Sequence, residues 1–178
     1  MNPMIEVEVK FRIENIKEVE EKMEKMAELI IEKTEYDIYF NSPWKDFKKS
    51  DEALRIRRDT EGTNITYKGP KIDSRTKSRE EVKLDISDYR SGVELLKGLG
   101  FNPFGEVVKN RKIYDLEGAT VTVDRVENLG EFLEIELQAN DSEVDKKTEQ
   151  IFSLAKKLGF SEEQSIRKSY LELLMEKE

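Results

Sequence analysis

The sequence predicts an α+β fold in which about eight mainly antiparallel strands close into a barrel and four helices pack outside it. Three observations predict this. Several segments alternate apolar and charged residues with period two, as half-buried strands do. Most of these segments follow one another without the long crossover that parallel pairing requires. Four other segments carry apolar residues at helical spacing, and such helices need an apolar sheet surface to lie on.

The elements follow in order. Residues 5–13 alternate without a break, with Ile5, Val7, Val9, Phe11 and Ile13 on one face and Glu6, Glu8, Lys10 and Arg12 on the other. Asn15 can cap a helix in which Ile16, Val19, Met23, Met26 and Ile30 recur at helical spacing. Met23 and Met26 read as its core residues. A second strand fits near 35–41, before a loop around Pro43 and Trp44. Residues 53–59 alternate again, placing Arg55 and Arg57 together. Residues 65–69 form a short strand carrying Lys68, and Gly69-Pro70 breaks it. Residues 71–77 are polar and read as a mobile loop. Residues 78–86 return to strand, with Arg79, Glu81 and Lys83 on one face and Val82, Leu84 and Ile86 on the other.

A helix begins at Ser87 and runs through Val93, Leu96 and Leu99, with Gly98 and Gly100 ending it. Strands follow at about 106–114, 119–126 and 131–138, the last with Glu134 and Glu136 on one face. Ser142 with Asp145 resembles a capping box for a helix running to Leu158, which Gly159 stops. Ser161 with Gln164 is expected to open the last helix, through Ile166, Tyr170 and Leu174. Nothing resembles a linker between two domains.

Composition narrows the chemistry. The 178 residues include 31 Lys+Arg and 39 Asp+Glu, a net charge of −8, so a nucleic-acid polymer is not an expected partner. Cysteine and histidine are both absent, which excludes thiol nucleophiles, histidine bases and Cys/His zinc sites. Carboxylates remain, and they suit hard cations such as Mg²⁺ or Mn²⁺. No signal peptide or membrane span is visible, so the chain is expected to be cytoplasmic and not to engage a membrane. Abundant Lys and Glu without Cys point to a thermophilic source.

The polar strand faces collect Lys10, Arg12, Arg55, Arg57, Lys68, Arg79, Lys83, Lys109 and Arg111, against Glu6, Glu8, Glu81, Asp124, Glu134 and Glu136. If helices cover the apolar face, closure turns the charged face into a tunnel lining. Burying so many charges is costly unless they pair, stay hydrated or meet a charged ligand. A polyanion carrying Mg²⁺ meets both signs, because cations take phosphate oxygens and carboxylates take the metal.

These segments resemble the CYTH superfamily, the triphosphate tunnel fold of class IV adenylyl cyclases and thiamine triphosphatases. The resemblance begins at Glu6-Val7-Glu8-Val9-Lys10. It continues through Ala53-Leu54-Arg55-Ile56-Arg57, Thr66-Tyr67-Lys68-Gly69-Pro70, Ser78-Arg79-Glu80-Glu81, Lys109-Asn110-Arg111 and Val123-Asp124-Arg125-Val126. It closes with Leu129 through Glu136 and Arg167 through Leu174, so that residues 1–178 read as a single CYTH-like domain. Asp37-Ile38-Tyr39-Phe40-Asn41-Ser42-Pro43 and the closing Ser-Tyr-x-x-Leu-Leu look like the class IV cyclase branch. Lys83 departs from the pattern, since the family more often has an acid there.

The resemblance implies that Glu6, Glu8, Asp124, Glu134 and Glu136 hold one or two Mg²⁺ or Mn²⁺ ions. It implies that Lys10, Arg55, Arg57, Lys68, Lys109, Arg111 and Lys168 clamp a triphosphate, and that Glu6, Glu8, Lys10, Arg111 and Glu136 carry the chemistry. The implied partner is a small-molecule triphosphate: ATP, thiamine triphosphate or tripolyphosphate. A homodimer is compatible with the chain. Three functions stay open: a cyclase making cyclic AMP and pyrophosphate from ATP, a triphosphate hydrolase, and a non-enzymatic binding module. The carboxylates favour an enzyme, since a binder needs only cations. Arg12, Arg79 and Glu81 can equally be internal ion-pair partners, and Tyr67 and Tyr170 read as packing residues.

Overall fold

In a computed structural model describing residues 4–177, eight strands form a closed antiparallel barrel in the order β1-β5-β4-β3-β2-β6-β7-β8. The strands are β1 (Ile5–Arg12), β2 (Glu28–Asn41), β3 (Ala53–Asp59), β4 (Gly62–Lys68), β5 (Arg79–Ile86), β6 (Asn102–Leu116), β7 (Ala119–Val126) and β8 (Gly130–Ala139). The helices are α1 (Ile16–Met26), α2 (Tyr89–Gly98), α3 (Val144–Leu158) and α4 (Tyr170–Met175). The predicted fold class is the observed one.

The apolar core lies between the barrel and its helices. Ile5, Val7, Val9 and Phe11 of β1 join Val121, Val123, Leu133 and Ile135 of β7 and β8 under Ile151, Leu154 and Leu158 of α3. A second cluster sets α2 through Leu96 on Phe40, Leu54 and Ile56. A third sets Tyr170 and Leu171 of α4 on Val107, Leu129 and Phe132. Because strand side chains alternate, burying these apolar faces outward commits the charged faces to the barrel interior. The outer face of β5 is less covered, with Val82 and Leu84 63% and 62% exposed.

Several boundaries differ from the sequence-based expectation, each for a tertiary reason. The first helix ends at Met26, which is exposed, and Ile30 belongs to β2. Pairing of β2 with β6 from Glu28↔Asp115 onward overrides the helical spacing. Asn140 with Glu143, rather than Ser142 with Asp145, forms the capping box before α3. Ser161 and Gln164 do form a capping box, but it closes only the short 3₁₀ turn Glu162–Gln164. The chain then runs extended because it is tied to other parts of the fold: Ile166 N donates to the Lys10 carbonyl at 2.7 Å. Helix α4 starts with its own box, Ser169 and Glu172.

The 71–77 segment, expected to be mobile, is pinned. Lys77 is buried, and its backbone N donates to the Glu8 carbonyl at 2.9 Å. Arg167 donates to the carbonyls of Asp73 and Thr76 at 2.6 and 3.1 Å. The segment thereby extends β5 along β1, beyond the pairs Ile5↔Glu80 and Glu6↔Arg79.

Candidate active site inside the barrel

A cavity of about 670 Å³ occupies the barrel, and it is lined by residues from every strand except β7 and by α4. Two walls can be distinguished.

The first wall is carboxylate-rich. Glu8 and Glu136 are directly opposed in the β1–β8 ladder, with Glu6 two residues along on the same face. Lys68 Nζ donates to Glu6 at 2.6 Å and lies 3.0 Å from Glu81, as the pairing alternative for Glu81 anticipated. Lys77 Nζ donates to Glu8 at 2.8 Å. Burial opposes the charge of Glu8, but Lys77 and Lys10 override it and hold its pKa at about 2. Glu136 has no such partner: it receives only the Gln138 amide, at 2.9 Å. Burial, reinforced by Glu6 and Glu8, pushes its pKa up to about 8.

The second wall interleaves both signs. Arg57 forms a bidentate bond to Asp37, through Nε at 2.6 Å and Nη2 at 2.8 Å, and a 2.9 Å ion pair to Glu35. Lys109 reaches Asp37 at 2.9 Å and Glu35 at 3.0 Å. Burial works against both carboxylates, yet Lys109 and Arg57, with Arg111 at Glu35 and Arg55 at Asp37, hold them well below the usual range. Arg111 binds Asp124 through Nε at 2.7 Å and Glu134 through Nη2 at 2.7 Å. Arg55 is the least compensated cation of this wall. Its nearest carboxylate is Asp37 at 4.0 Å, it donates to Thr66 Oγ1 at 3.3 Å, and its buried Nε lacks a partner. Lys10 joins the walls, 3.0 Å from Glu134 and 4.0 Å above the Tyr170 ring. Burial and the neighbouring Lys77 lower its pKa to about 8.

The structure thus brings Glu6, Glu8, Lys10, Arg55, Arg57, Lys68, Lys109, Arg111, Glu134 and Glu136 to one cavity. Two expected residues are placed elsewhere. Asp124 is fully buried behind Arg111, engaged by that guanidinium and by the Tyr170 hydroxyl at 2.7 Å. The half-exposed Lys168 side chain does not line the cavity but pairs with Glu176 at 2.5 Å. Only its carbonyl turns inward, accepting from Lys10 Nζ at 3.0 Å. Arg12 also lies outside the cavity, over the Phe132 ring and bonded to the Leu129 carbonyl at 3.2 Å. Arg79 lines the cavity but pairs with Asp51 rather than a glutamate. Lys83 sits 4.0 Å from Asp85 and is mostly exposed, and Trp44 is a surface residue packed edge-on to Phe101.

Sequence reasoning missed Lys33 and Lys77 of the lining and Glu35 buried behind it, and used the likewise buried Asp37 only as part of a motif. The signal for Lys33 and Glu35 lay in the alternation Lys33, Glu35, Asp37, which extends the charged face of β2 upstream. Lys77 gave no periodic signal.

Glu6, Glu8 and Glu136 share the inward face of the β1–β8 ladder, and their oxygens are of the hard type that suits a divalent cation. Among the described residues, no three carboxylates already converge as a metal-binding group. The ammonium groups of Lys68 and Lys77 hold Glu6 and Glu8 instead.

An antiparallel eight-stranded barrel with a two-signed interior defines a class of protein, and the chain belongs to it: the CYTH domain family matches residues 4–170. Particular relatives sharpen the placement. A Methanocaldococcus jannaschii protein provisionally named as an adenylate cyclase is 43% identical over 172 residues, covering 96% of this chain and 98% of that one. The Aeromonas hydrophila adenylate cyclase CyaB is 30% identical over 139 residues, covering 76% of this chain and 70% of that one. A solved Pyrococcus horikoshii protein superposes with a TM-score of 0.89 at 41% identity, covering 97% of this chain and 99% of that one. No helix among the described residues is long and apolar enough to cross a membrane.

Proposed function

We propose that the protein is a metal-dependent triphosphate-processing enzyme of the adenylyl cyclase kind, converting ATP to cyclic AMP and pyrophosphate. One observation carries the reading. Most of the buried charges in the cavity are paired, and the least compensated of them are the cation Arg55 and the carboxylate Glu136. A triphosphate with a divalent ion supplies what each lacks: phosphate oxygens for the guanidinium and positive charge for the carboxylate. The cyclase name carried by the 43% identical relative supports the particular reaction.

In this reading Arg55, Arg57, Lys68, Lys109 and Arg111 orient the phosphates, and Glu6, Glu8 and Glu136, with Glu134 beside them, hold Mg²⁺ or Mn²⁺. The ion, when bound, neutralises phosphate charge and makes a hydroxyl a better nucleophile. The ribose 3′-hydroxyl attacks the α-phosphorus and pyrophosphate leaves. Lys10, with a pKa of about 8, can hold or release a proton near neutrality. The remaining work is positioning and electrostatic stabilisation, which phosphoryl transfer chiefly needs.

Hydrolysis of thiamine triphosphate, tripolyphosphate or a nucleotide is the second reading, because this cavity would clamp the same triphosphate while water attacked. A solved Hippeastrum protein of the same fold, 16% identical, is described as having a dominant triphosphatase activity. The test is product analysis after incubation with ATP and with tripolyphosphate, each with Mg²⁺ or Mn²⁺. Cyclic AMP and pyrophosphate from ATP are expected. Orthophosphate from either substrate, without cyclic AMP, selects the hydrolase. No product from either overturns the enzymatic reading.

A further inference from the structure

We infer that Tyr170 is a positioning residue for the cationic clamp, so that the C-terminal segment 165–175 is part of the site rather than a cover for it. The inference rests on the reading of the cavity as a triphosphate site.

The geometry is a closed circuit. The Tyr170 hydroxyl donates to Asp124 Oδ2 at 2.7 Å. Asp124 accepts from Arg111, through Nε at 2.7 Å and Nη2 at 2.5 Å. Arg111 Nη2 also donates to Glu134 Oε2 at 2.7 Å, and Glu134 Oε1 lies 3.0 Å from Lys10 Nζ. Lys10 Nζ returns to the start, 4.0 Å over the Tyr170 ring. One side chain of the terminal helix therefore touches Lys10 with its ring and fixes Arg111 through its hydroxyl.

The preceding residues reinforce this hold. The Lys168 carbonyl accepts from Lys10 Nζ at 3.0 Å, and the Lys10 carbonyl accepts from Ile166 N at 2.7 Å. Lys10 is thus gripped at backbone and side chain by a segment some 158 residues away in the chain.

The arrangement is more specific than apolar packing requires. A phenylalanine would fill the cluster with Phe132, Val107 and Leu171 equally well. The hydroxyl is needed only to complete the shell of Asp124, whose other partner is the guanidinium that faces the cavity. Without it, Arg111 can rotate toward Glu134 or Glu35, the latter 3.8 Å away. A clamp that must stop moving before it binds loses affinity through ordering.

A double-mutant cycle on tripolyphosphate affinity, measured by calorimetry in Mg²⁺, tests this. Tyr170→Phe should weaken binding about tenfold, a loss of roughly 1.4 kcal/mol, while the melting temperature moves little. In an Arg111→Ala background the same change should cost almost nothing, because the residue it positions is gone. Asp124→Asn should reproduce the loss, and Tyr170→Phe should add little to it. Equal cost in both backgrounds, or unchanged affinity in Tyr170→Phe, overturns the inference and leaves Tyr170 as packing. Failure of the wild-type protein to bind tripolyphosphate would instead refute the triphosphate reading itself.

Discussion

Glu8 and Glu136 stand directly opposite each other across the β1–β8 ladder, both facing the barrel interior. Like charges so placed destabilise a sheet. Lys77 pairs with Glu8, whereas Glu136 forms no ion pair and feels Lys68 only at a distance. The free protein thus relieves the crowding by keeping a proton on Glu136 up to about pH 8, the proton a bound cation would displace.

This retained proton makes stability depend on pH. The pKa of Glu136 rises from an ordinary 4.5 to about 8 in the folded protein. A raised carboxyl pKa means that the folded state holds the proton more tightly, so its stabilisation is complete below about 4.5 and disappears as pH climbs through about 8. Glu136→Gln keeps the neutral form at every pH. Its melting temperature should match wild type near pH 4.5 and exceed it increasingly toward pH 8, by about 2–4 °C per kcal/mol relieved. A constant difference across that range would show that Glu136 keeps an ordinary pKa.

The same variant should lose most activity at low metal concentration, since an amide is a poorer ligand for a hard cation than a carboxylate. Raising Mg²⁺ or Mn²⁺ should restore much of it. Activity traced against metal concentration reads this directly, and a loss that no concentration repairs would place Glu136 outside the metal's ligands.

Arg55 and Arg57 should part company despite lying on one face of one strand. Arg55→Ala removes a poorly compensated cation, so tripolyphosphate affinity should fall about ten- to a hundredfold, the range for a charge-assisted bond of roughly 1.5–3 kcal/mol, with little change in melting temperature. Arg57→Ala also strips Asp37 and Glu35 of a close partner. Breaking a buried pair costs about 3–5 kcal/mol, so this variant should melt well below wild type. Calorimetry and thermal melts on both variants decide it. Equal melting temperatures would deny Arg57 its structural share.

Lys77→Met tests the ammonium as a counter-ion for Glu8. It should destabilise the free protein, by on the order of 3 kcal/mol for a broken buried pair, because Glu8 is left charged and crowded. It should also tighten Mn²⁺ binding, measured by titration calorimetry, since the metal no longer competes with the lysine. Weaker Mn²⁺ binding in the variant would mean that Lys77 organises the site instead of blocking it.

Much of the fold was legible because alternation is a one-dimensional property. Nine unbroken residues from Ile5 to Ile13 identify a strand, its two faces and the partition of charge between them. Consecutive strands and amphipathic helices then leave few ways to bury the apolar faces, and closure with charges inside follows. The residues of the cavity were legible to the same extent, since parity along β1, β3, β6 and β8 assigns Glu6, Arg55, Lys109 and Glu134 to one lining.

The tertiary structure alone decided which charge meets which. Glu8 opposes Glu136, and Arg111 is shared between Asp124 and Glu134, only because of strand register. Strand register is a relation between segments that local pattern leaves open. The placements of Ile30, Lys77, Lys168 and Tyr170 were decided in the same way. Helical spacing at Ile30 yielded to the β2–β6 ladder, in which Ile30 falls at a register shift between Leu29 and Ile31, and the polar 71–77 stretch was fixed by backbone bonding to β1. The sequence by itself determined that a barrel would enclose both signs of charge. Which of those charges are neutralised within the protein, and which remain for a ligand, depends on distances of 3 to 4 Å between residues far apart in the chain, and only the folded arrangement sets those.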